Sequence, residues 1–246
     1  MKRPVYHTIF FSICLIVTAM SISSFSEAPP ARVLIFCKTA GFHHNSIPAG
    51  IKAIERLGMQ NGFRCDTTTD SLQFNKRNLK KYSAVIFLNT TGNVLNEEQQ
   101  KVFEQYIHSG KGFVGIHAAS DTEFDWPWYN QLVGAYFSSH PKQQQALLQI
   151  KNQSFNGMAA LPAQWSRWDE WYNFKDTHWD KVKVLITLDE KSIEGGTNGD
   201  FHPVSWYRDF DGGRSFYTAM GHTDETYVDN LFLKHLLGGI QYAIGK

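Results

Sequence analysis

Residues 32–70 read RVLIFCKTAGFHHNSIPAGIKAIERLGMQNGFRCDTTTD, and they predict a strand, a helix and a second strand in that order. Val33–Cys37 is an unbroken apolar run, which is typical of a strand that is buried on both faces. Apolar residues recur at helical spacing after Pro48, and Gly62 ends the predicted helix. Two strands joined by a helix form a βαβ unit, whose crossover we expect to be right-handed.

The same alternation continues through the rest of the first half. Ala84–Asn89 predicts a third buried strand, and Asn96 with Gln99 has the spacing of a capping box at the start of a helix. Gly112–Ile116 predicts a fourth strand, which stops at His117. Because strands and helices alternate, we expect an α/β fold with a doubly wound, mostly parallel sheet.

The second half has a different pattern and predicts an elaborated, β-rich region. Four segments read as strands joined by turns, namely QALLQIK, VKVLITLD, HPVSWYRDF and RSFYTAM. Asp211-Gly212-Gly213 is a hairpin signal between the last two. A final helix is expected over about Val228–Ile244. With no repeat or linker in view, the simplest account is one domain over residues 27–246.

Composition argues against several classes of partner. The 246 residues carry 24 Lys and Arg against 23 Asp and Glu, without a basic stripe, which argues against nucleic acid. There is no P-loop and no glycine-rich dinucleotide motif after the first strand. We therefore expect no nucleotide cofactor.

The N-terminus has the layout of a secretory signal peptide. Lys2 and Arg3 precede the apolar run Ile9–Met20, and a serine-rich stretch follows it. We predict a signal peptide over residues 1–26, export to the periplasm or the cell exterior, and no membrane contact after cleavage. The alternative is an uncleaved anchor, for which the apolar run is short.

Two cysteines remain after that cleavage, Cys37 and Cys65, and their spacing fits no zinc motif. We expect two buried thiols on neighbouring strands, although export would also permit a disulfide.

Three histidines follow predicted strands and carry the main chemical hypothesis. His43 follows the first strand, His117 ends the fourth, and His222 follows the last. Parallel strands bring their carboxyl ends to one edge of a sheet, so these side chains can meet there. Imidazole transfers protons or binds metals near neutral pH, and a divalent metal held by the three is one interpretation. Structural hydrogen bonding is the other, and we favour it for His44, His140 and His202.

A carboxylate pair lies among tryptophans in the segment RWDEWYNF. Asp169 and Glu170 stand between Trp168 and Trp171, and in an extended segment only one of the two carboxylates can face a given pocket. An aromatic wall beside a carboxylate suits a sugar, whose C–H face stacks on indole while its hydroxyls bond the carboxylate. The alternative is that these tryptophans are packing residues.

Three more residues are candidates for substrate binding. Asp121 follows His117 by four positions and could orient a histidine or cap the next helix. Trp126 falls near the same predicted edge, and Arg208 could bind an anionic group.

Four motifs together resemble the trehalose-utilisation, or ThuA-like, family: CKTAGFHHNSI, GKGFVGIHAASDT with WPWYNQLVGAYFSSHP, WDEWYNF, and HPVSWYRDFDGGRSFYTAMGH. The resemblance extends from about Arg32 to Ile244. It implies the class I glutamine amidotransferase-like fold, a flavodoxin-like α/β sandwich. Amidotransferases have a cysteine at the turn where His117 stands, so thiolate chemistry is excluded here. His222 looks like the counterpart of their histidine.

The resemblance also implies a function. The family is linked to 3-keto-glycosides such as oxidised trehalose, which implies an exported enzyme that acts on glycosides or 3-keto-glycosides by elimination, isomerisation or hydrolysis. His117, His222, Glu170 and Asp169 would be its catalytic residues, with a small sugar as substrate. The alternative is a carbohydrate-binding or accessory domain without catalysis.

Overall fold

The computed structural model describes residues 1, 2, 4 and 29–246. The apolar run of the expected signal peptide, Ile9–Met20, lies outside the described residues, so that segment stays a prediction. Within the described residues, no helix combines the length and the apolar character needed to cross a membrane.

The first half alternates strands and helices as its sequence pattern predicts. Its elements are β1 (Ala31–Phe36), α1 (Ile47–Asn61), β2 (Phe63–Thr68), α2 (Lys76–Leu79), β3 (Ala84–Leu88), α3 (Glu97–His108) and β4 (Gly112–Ile116). The capping box of α3 is present, since the side chains of Asn96 and Gln99 each accept a backbone N–H of the other residue. The predicted strands and helices of this half therefore form within a residue or two of their expected bounds.

The second half is mostly β-structure. Its elements are α4 (Pro127–Val133), β5 (Tyr136–Ser139), β6 (Gln144–Ile150), β7 (Gln164–Asp169), β8 (Asn173–Lys175), β9 (Lys183–Leu188), β10 (His202–Phe210), β11 (Gly213–Thr218) and α5 (Asn230–Ile244). The last helix starts two residues later than expected, because a 3₁₀ turn occupies Asp224–Val228. Asp229 then caps α5 by accepting two backbone N–H groups.

One nine-stranded sheet, in the order β2-β1-β3-β4-β11-β10-β9-β6-β7, dominates the fold. Neighbouring strands from β2 to β11 run parallel, and those from β11 to β7 pair antiparallel. Strands β5 and β8 form a separate two-stranded sheet. The predicted fold class, a mostly parallel α/β sheet with a β-rich second half, is confirmed.

The core forms around strands β3 and β4, in which every residue is buried. Helix α5 packs so closely on β4 that a Cβ on Gly112 would lie 2.1 Å from the carbonyl oxygen of Ala243. Only glycine permits that approach of helix to strand. Cys37 and Cys65 are free thiols at β1 and β2, and Cys37 is buried.

The carboxyl ends of the central strands align at one edge of the sheet. Leu88 of β3 and Thr218 of β11 both pair with Ile116, the last residue of β4. The turns after β4 and β11 therefore start side by side, which is the usual position of a site in an open α/β sheet.

Candidate metal centre and cavity

The turn after β4 holds His117 in an unusual backbone conformation. Its φ is +48°, in the left-handed region that residues with a side chain rarely adopt. The side chain is fully buried, and Tyr217 donates a hydrogen bond of 2.8 Å to the His117 carbonyl oxygen. A strained backbone of this kind persists only where its surroundings enforce it, and such positions concentrate at functional sites.

The hydrogen bonds of His117 determine which of its ring nitrogens carries a proton. Nδ1 lies 2.7 Å from the carbonyl oxygen of Ala219, which can only accept, so Nδ1 is the donor. In the neutral ring, Nε2 then presents a lone pair. That nitrogen lies 3.2 Å from Nδ1 of His222 and 3.4 Å from Oε2 of Glu170. A histidine fixed through one nitrogen and open at the other has the arrangement usual for metal ligands.

Four side chains gather at this point of the sheet edge. His44, His117, Glu170 and His222 each offer one ligand atom, and these atoms all lie within 4.8 Å of one another. The ring centroid of His44 is 4.9 Å from that of His117 and 5.1 Å from that of His222. Three imidazoles and one carboxylate form a donor set that suits zinc and other borderline transition metals.

Burial and mutual charge set the protonation of the cluster. Burial, followed by the charges of His117 and His222, lowers the pKa of His44 to about 3, so its ring is neutral at pH 7. Burial alone would raise the pKa of Glu170, but hydrogen bonds and charge interactions with the protonated rings of His117 and His222 hold that pKa well below its usual range. Burial opposes the charge on His222, but the hydrogen bond to Glu170 prevails and raises the His222 pKa. An ionised carboxylate therefore faces a neutral imidazole of His44.

One ring nitrogen of His44 is a further indication of a metal site. Its Nδ1 is buried and has no hydrogen-bond partner within residues 29–246. Buried polar atoms are nearly always paired, because an unpaired one costs on the order of 1–3 kcal/mol. The residues present thus fit a metal ion, which is a partner such a nitrogen can take.

Asp169 lies behind the cluster and joins the loops that carry its members. One carboxylate oxygen accepts the backbone N–H groups of Glu170 and His222, at 3.0 and 3.1 Å. The other accepts the N–H of Gly221 and the hydroxyl of Thr226. Asp169 is fully buried and therefore positions Glu170 and His222 without reaching the cavity itself.

A cavity of about 260 Å³ opens in front of the cluster. It is lined by Phe42, His44, Asp121, Phe137, His140, Glu170, Tyr172 and His222. Burial raises the pKa of Asp121 to about 6, although the positive charges of His117, Lys175 and His140 act to lower it. Nδ1 of His140 lies 3.2 Å from Oε1 of Glu170 and 2.9 Å from the carbonyl oxygen of Pro141. A larger depression of about 720 Å³ beside β2 has no histidine among its lining residues.

Five of the predicted site residues lie together. His117, His222 and Glu170 are in the cluster, Asp121 lines the cavity, and Asp169 lies directly behind them. As the alternation of an extended segment requires, only Glu170 of the carboxylate pair faces the cavity.

His43 does not join them, although it was the expected third histidine. Its Nδ1 lies 3.2 Å from the hydroxyl of Thr39, and its side chain is exposed. The neighbouring His44 takes the place in the cluster. The loop after β1 has no regular period, so its sequence could not indicate which of two adjacent histidines points inward.

The three tryptophans expected at the sugar site lie elsewhere. Trp126 is buried against α3, where its Nε1 donates to Glu104. Trp171 is fully buried and donates to the carbonyl oxygen of Gln144. Trp168 is 58% exposed on the edge strand β7 but does not line the cavity. The packing alternative therefore holds for Trp171, and Trp126, which we expected to bind substrate, is also a packing residue.

Arg208 also lies away from the cavity. It is near the end of β10, and that strand runs antiparallel to β11, so Arg208 lies toward the opposite edge of the sheet. There its guanidinium donates to the carbonyl oxygen of Gln131 and lies over the ring of Phe210.

Sequence reasoning missed two cavity residues, His44 and His140, which we expected to be structural. His44 could have been considered together with its neighbour in the FHHNS segment. His140 follows β5, a four-residue strand too short and too polar to be recognised from its pattern. No sequence pattern marked the aromatic cavity residues Phe42, Phe137 and Tyr172 as part of a site.

Comparison with known proteins agrees with this architecture. The family model described as "Trehalose utilisation" (ThuA) matches residues 32–243. A ThuA-like protein from Bacteroides uniformis is 26% identical, with a TM-score of 0.75, 92% of this chain covered and 96% of that one. One from Parabacteroides merdae is 21% identical, with a TM-score of 0.71 and coverages of 88% and 90%.

A β-galactosidase from Bacillus circulans shares the fold over part of its length. It is 14% identical with a TM-score of 0.54, and the match covers 87% of this chain but 30% of that one. No curated protein matches the chain. From the family match over nearly all of its described length, the chain belongs to the trehalose utilisation (ThuA) family, within the class I glutamine amidotransferase-like superfamily.

Proposed function

We propose that this protein is an enzyme that processes glycosides oxidised at C3, with a divalent metal ion held by His44, His117, Glu170 and His222. The observation that carries the proposal is the convergence of these four ligand atoms within 4.8 Å at the head of a cavity. Export, as the N-terminal pattern predicts, is part of the same proposal.

A 3-keto-glycoside offers a reaction that this set of residues can support. The ketone acidifies the hydrogen on C2, and its removal leaves an enolate. When the enolate collapses, the ketone re-forms, a double bond forms between C1 and C2, and the bond from C1 to the glycosidic oxygen breaks. The leaving oxygen takes up a proton, so the products are an unsaturated keto sugar and a free alcohol. A bound metal ion would supply Lewis acidity at the ketone oxygen.

Asp121 is the proposed base. Its carboxylate lines the cavity and makes no hydrogen bond to another side chain or backbone group within residues 29–246. A pKa of about 6 leaves it ionised at neutral pH but more basic than an ordinary carboxylate.

His140 is the proposed acid for the leaving oxygen. It stands at the half-exposed side of the cavity, and Glu170 and the Pro141 carbonyl hold its Nδ1. Its other nitrogen, Nε2, makes no hydrogen bond within the described part of the chain and can exchange a proton with a ligand.

Metal content and turnover of 3-oxidised trehalose, measured on the same preparation, test the proposal. His117→Asn is the informative variant, because asparagine tolerates the left-handed conformation at this position but lacks the imidazole. We expect it to bind metal at least tenfold more weakly and to lose turnover while it stays folded.

His108→Ala is the matched control, since His108 is an exposed histidine at the end of α3. It should keep both metal and activity. If the wild-type protein binds the sugar but contains no metal and turns over no glycoside, the non-catalytic binding function replaces the proposal. Full activity in His117→Asn would contradict the assignment of this residue.

A further inference from the structure

An exposed aromatic ring stands at the mouth of the cavity. Phe42 is 65% exposed, although it lines the same cavity as the histidine cluster. Its ring packs edge to face on His44, with 4.8 Å between the ring centroids. One face of this ring is therefore available to solvent or to a ligand, directly next to a proposed metal ligand.

The segment that carries Phe42 is held in place by Thr91. The Thr91 hydroxyl donates to the Phe42 carbonyl oxygen at 2.9 Å and accepts the N–H of Gly41 at 3.1 Å. The Thr91 carbonyl oxygen accepts the N–H of Ala40 at 2.7 Å. Three hydrogen bonds thus fix the backbone around an exposed apolar ring, so a ligand that meets the ring does not have to order the loop.

The size of the cavity indicates what such a ring could contact. At about 260 Å³, the cavity is below the range of roughly 300–1,000 Å³ that is usual for drug-sized ligands. It suits one sugar ring. When a disaccharide places its oxidised ring at the histidine cluster, its second ring must lie outside the cavity, where Phe42 is exposed.

We infer that Phe42 is a stacking platform for the leaving-group ring of a disaccharide substrate, and that it sets the preference for glycosides with a second sugar ring. The apolar C–H face of a pyranose packs on an aromatic ring, as it does in other carbohydrate sites. This inference rests on the proposed function for the position of the first ring.

The test compares two substrates and two phenylalanines. In Phe42→Ala, we expect KM for 3-oxidised trehalose to rise about five- to tenfold, which corresponds to the loss of one stacking contact. KM for 3-oxidised methyl α-glucoside, which has no second ring, should change less than twofold. Phe42→Trp should keep the low KM. Phe201→Ala is the matched control, because Phe201 is 49% exposed but does not line the cavity.

Calorimetric titration with unoxidised trehalose and methyl α-glucoside gives a readout that does not depend on turnover. Phe42→Ala should weaken the binding of trehalose alone. An unchanged KM, or an equal rise of KM for both substrates, would overturn the platform. If wild-type protein turns over neither oxidised glycoside but binds trehalose through Phe42, the proposed reaction fails and the platform stands.

Discussion

Asp121 offers the most direct test at the scale of single residues. Because burial raises the pKa of Asp121 to about 6, the fraction of ionised base grows as pH rises through 6 and reaches about 90% by pH 7. We predict that kcat/KM falls about tenfold per pH unit below 6 and that Asp121→Asn lowers activity and removes this acid limb. A pH profile of kcat/KM measures both effects.

The matched control for this prediction is Asp125→Asn. Asp125 is exposed, bonds the surface residue Asn93 and does not line the cavity. Its variant should keep the wild-type profile. An acid limb near pH 6 that persists in Asp121→Asn would assign the titration to another group.

Single residues also mark the limit of what the sequence could predict. His117 and His222 could be identified because each follows a recognisable strand, and the shared direction of these strands places both at one edge. Glu170 was identified by its tryptophan neighbours instead, because the strand before it, β7, was not among the predicted strands. That His44 rather than His43 joins the cluster could not be predicted, because an irregular loop has no period that fixes which side chain points inward. Trp171 was expected at the sugar site, but bulky aromatic residues serve the core more often than a ligand.

At the scale of elements, the contact between β4 and α5 depends on the absence of a side chain at Gly112. A Cβ there would meet the backbone carbonyl of Ala243, which cannot rotate away, so strand and helix would have to separate. We predict that Gly112→Ala lowers the free energy of unfolding by about 2 kcal/mol or more, measured by urea denaturation.

Gly41→Ala is the control for that substitution. A Cβ at Gly41 would approach the Thr91 side chain no closer than 3.4 Å, which is ordinary contact, and we expect a change below about 0.5 kcal/mol. Equal effects of the two substitutions would show that the helix adjusts to a methyl group.

Elements were predictable where the local pattern was strong. Strands β1, β3 and β4 are short apolar runs, and the β10–β11 hairpin has its own turn signal, so all of these could be recognised. Strand β2, which reads FRCDTT, was recognised from its place directly after the glycine that ends α1. The pairing of β9 with β6 and of β6 with β7 could not be predicted, because antiparallel order between distant segments depends on tertiary packing. The small β5–β8 sheet was missed for the same reason.

At the scale of the whole molecule, metal binding should appear as stability. An ion that binds only the folded chain adds about 2.7 kcal/mol at a hundred times its Kd, which is a rise in Tm of roughly 5–10 °C for a chain of this size. We predict such a shift with Zn²⁺ in thermal unfolding, and its loss in His117→Asn.

Calcium is the control ion, because it prefers sites built from oxygen ligands and the cluster offers mainly imidazole nitrogen. We expect Ca²⁺ to leave Tm unchanged. A similar rise in Tm with Zn²⁺ and Ca²⁺, or in the wild type and His117→Asn, would place the bound metal elsewhere on the molecule.

The bonds from Asp169 to the turn after β11 have a consequence for biosynthesis. Asp169 ends the outermost strand of the sheet, yet its partners Gly221 and His222 come more than fifty residues later. While Gly221 and His222 are still inside the ribosome, the nascent polypeptide already exposes His44, His117 and Glu170 but cannot yet join them to His222. We expect the centre to mature only after release of the finished chain, so metal would load after translation and, for an exported protein, outside the cytoplasm.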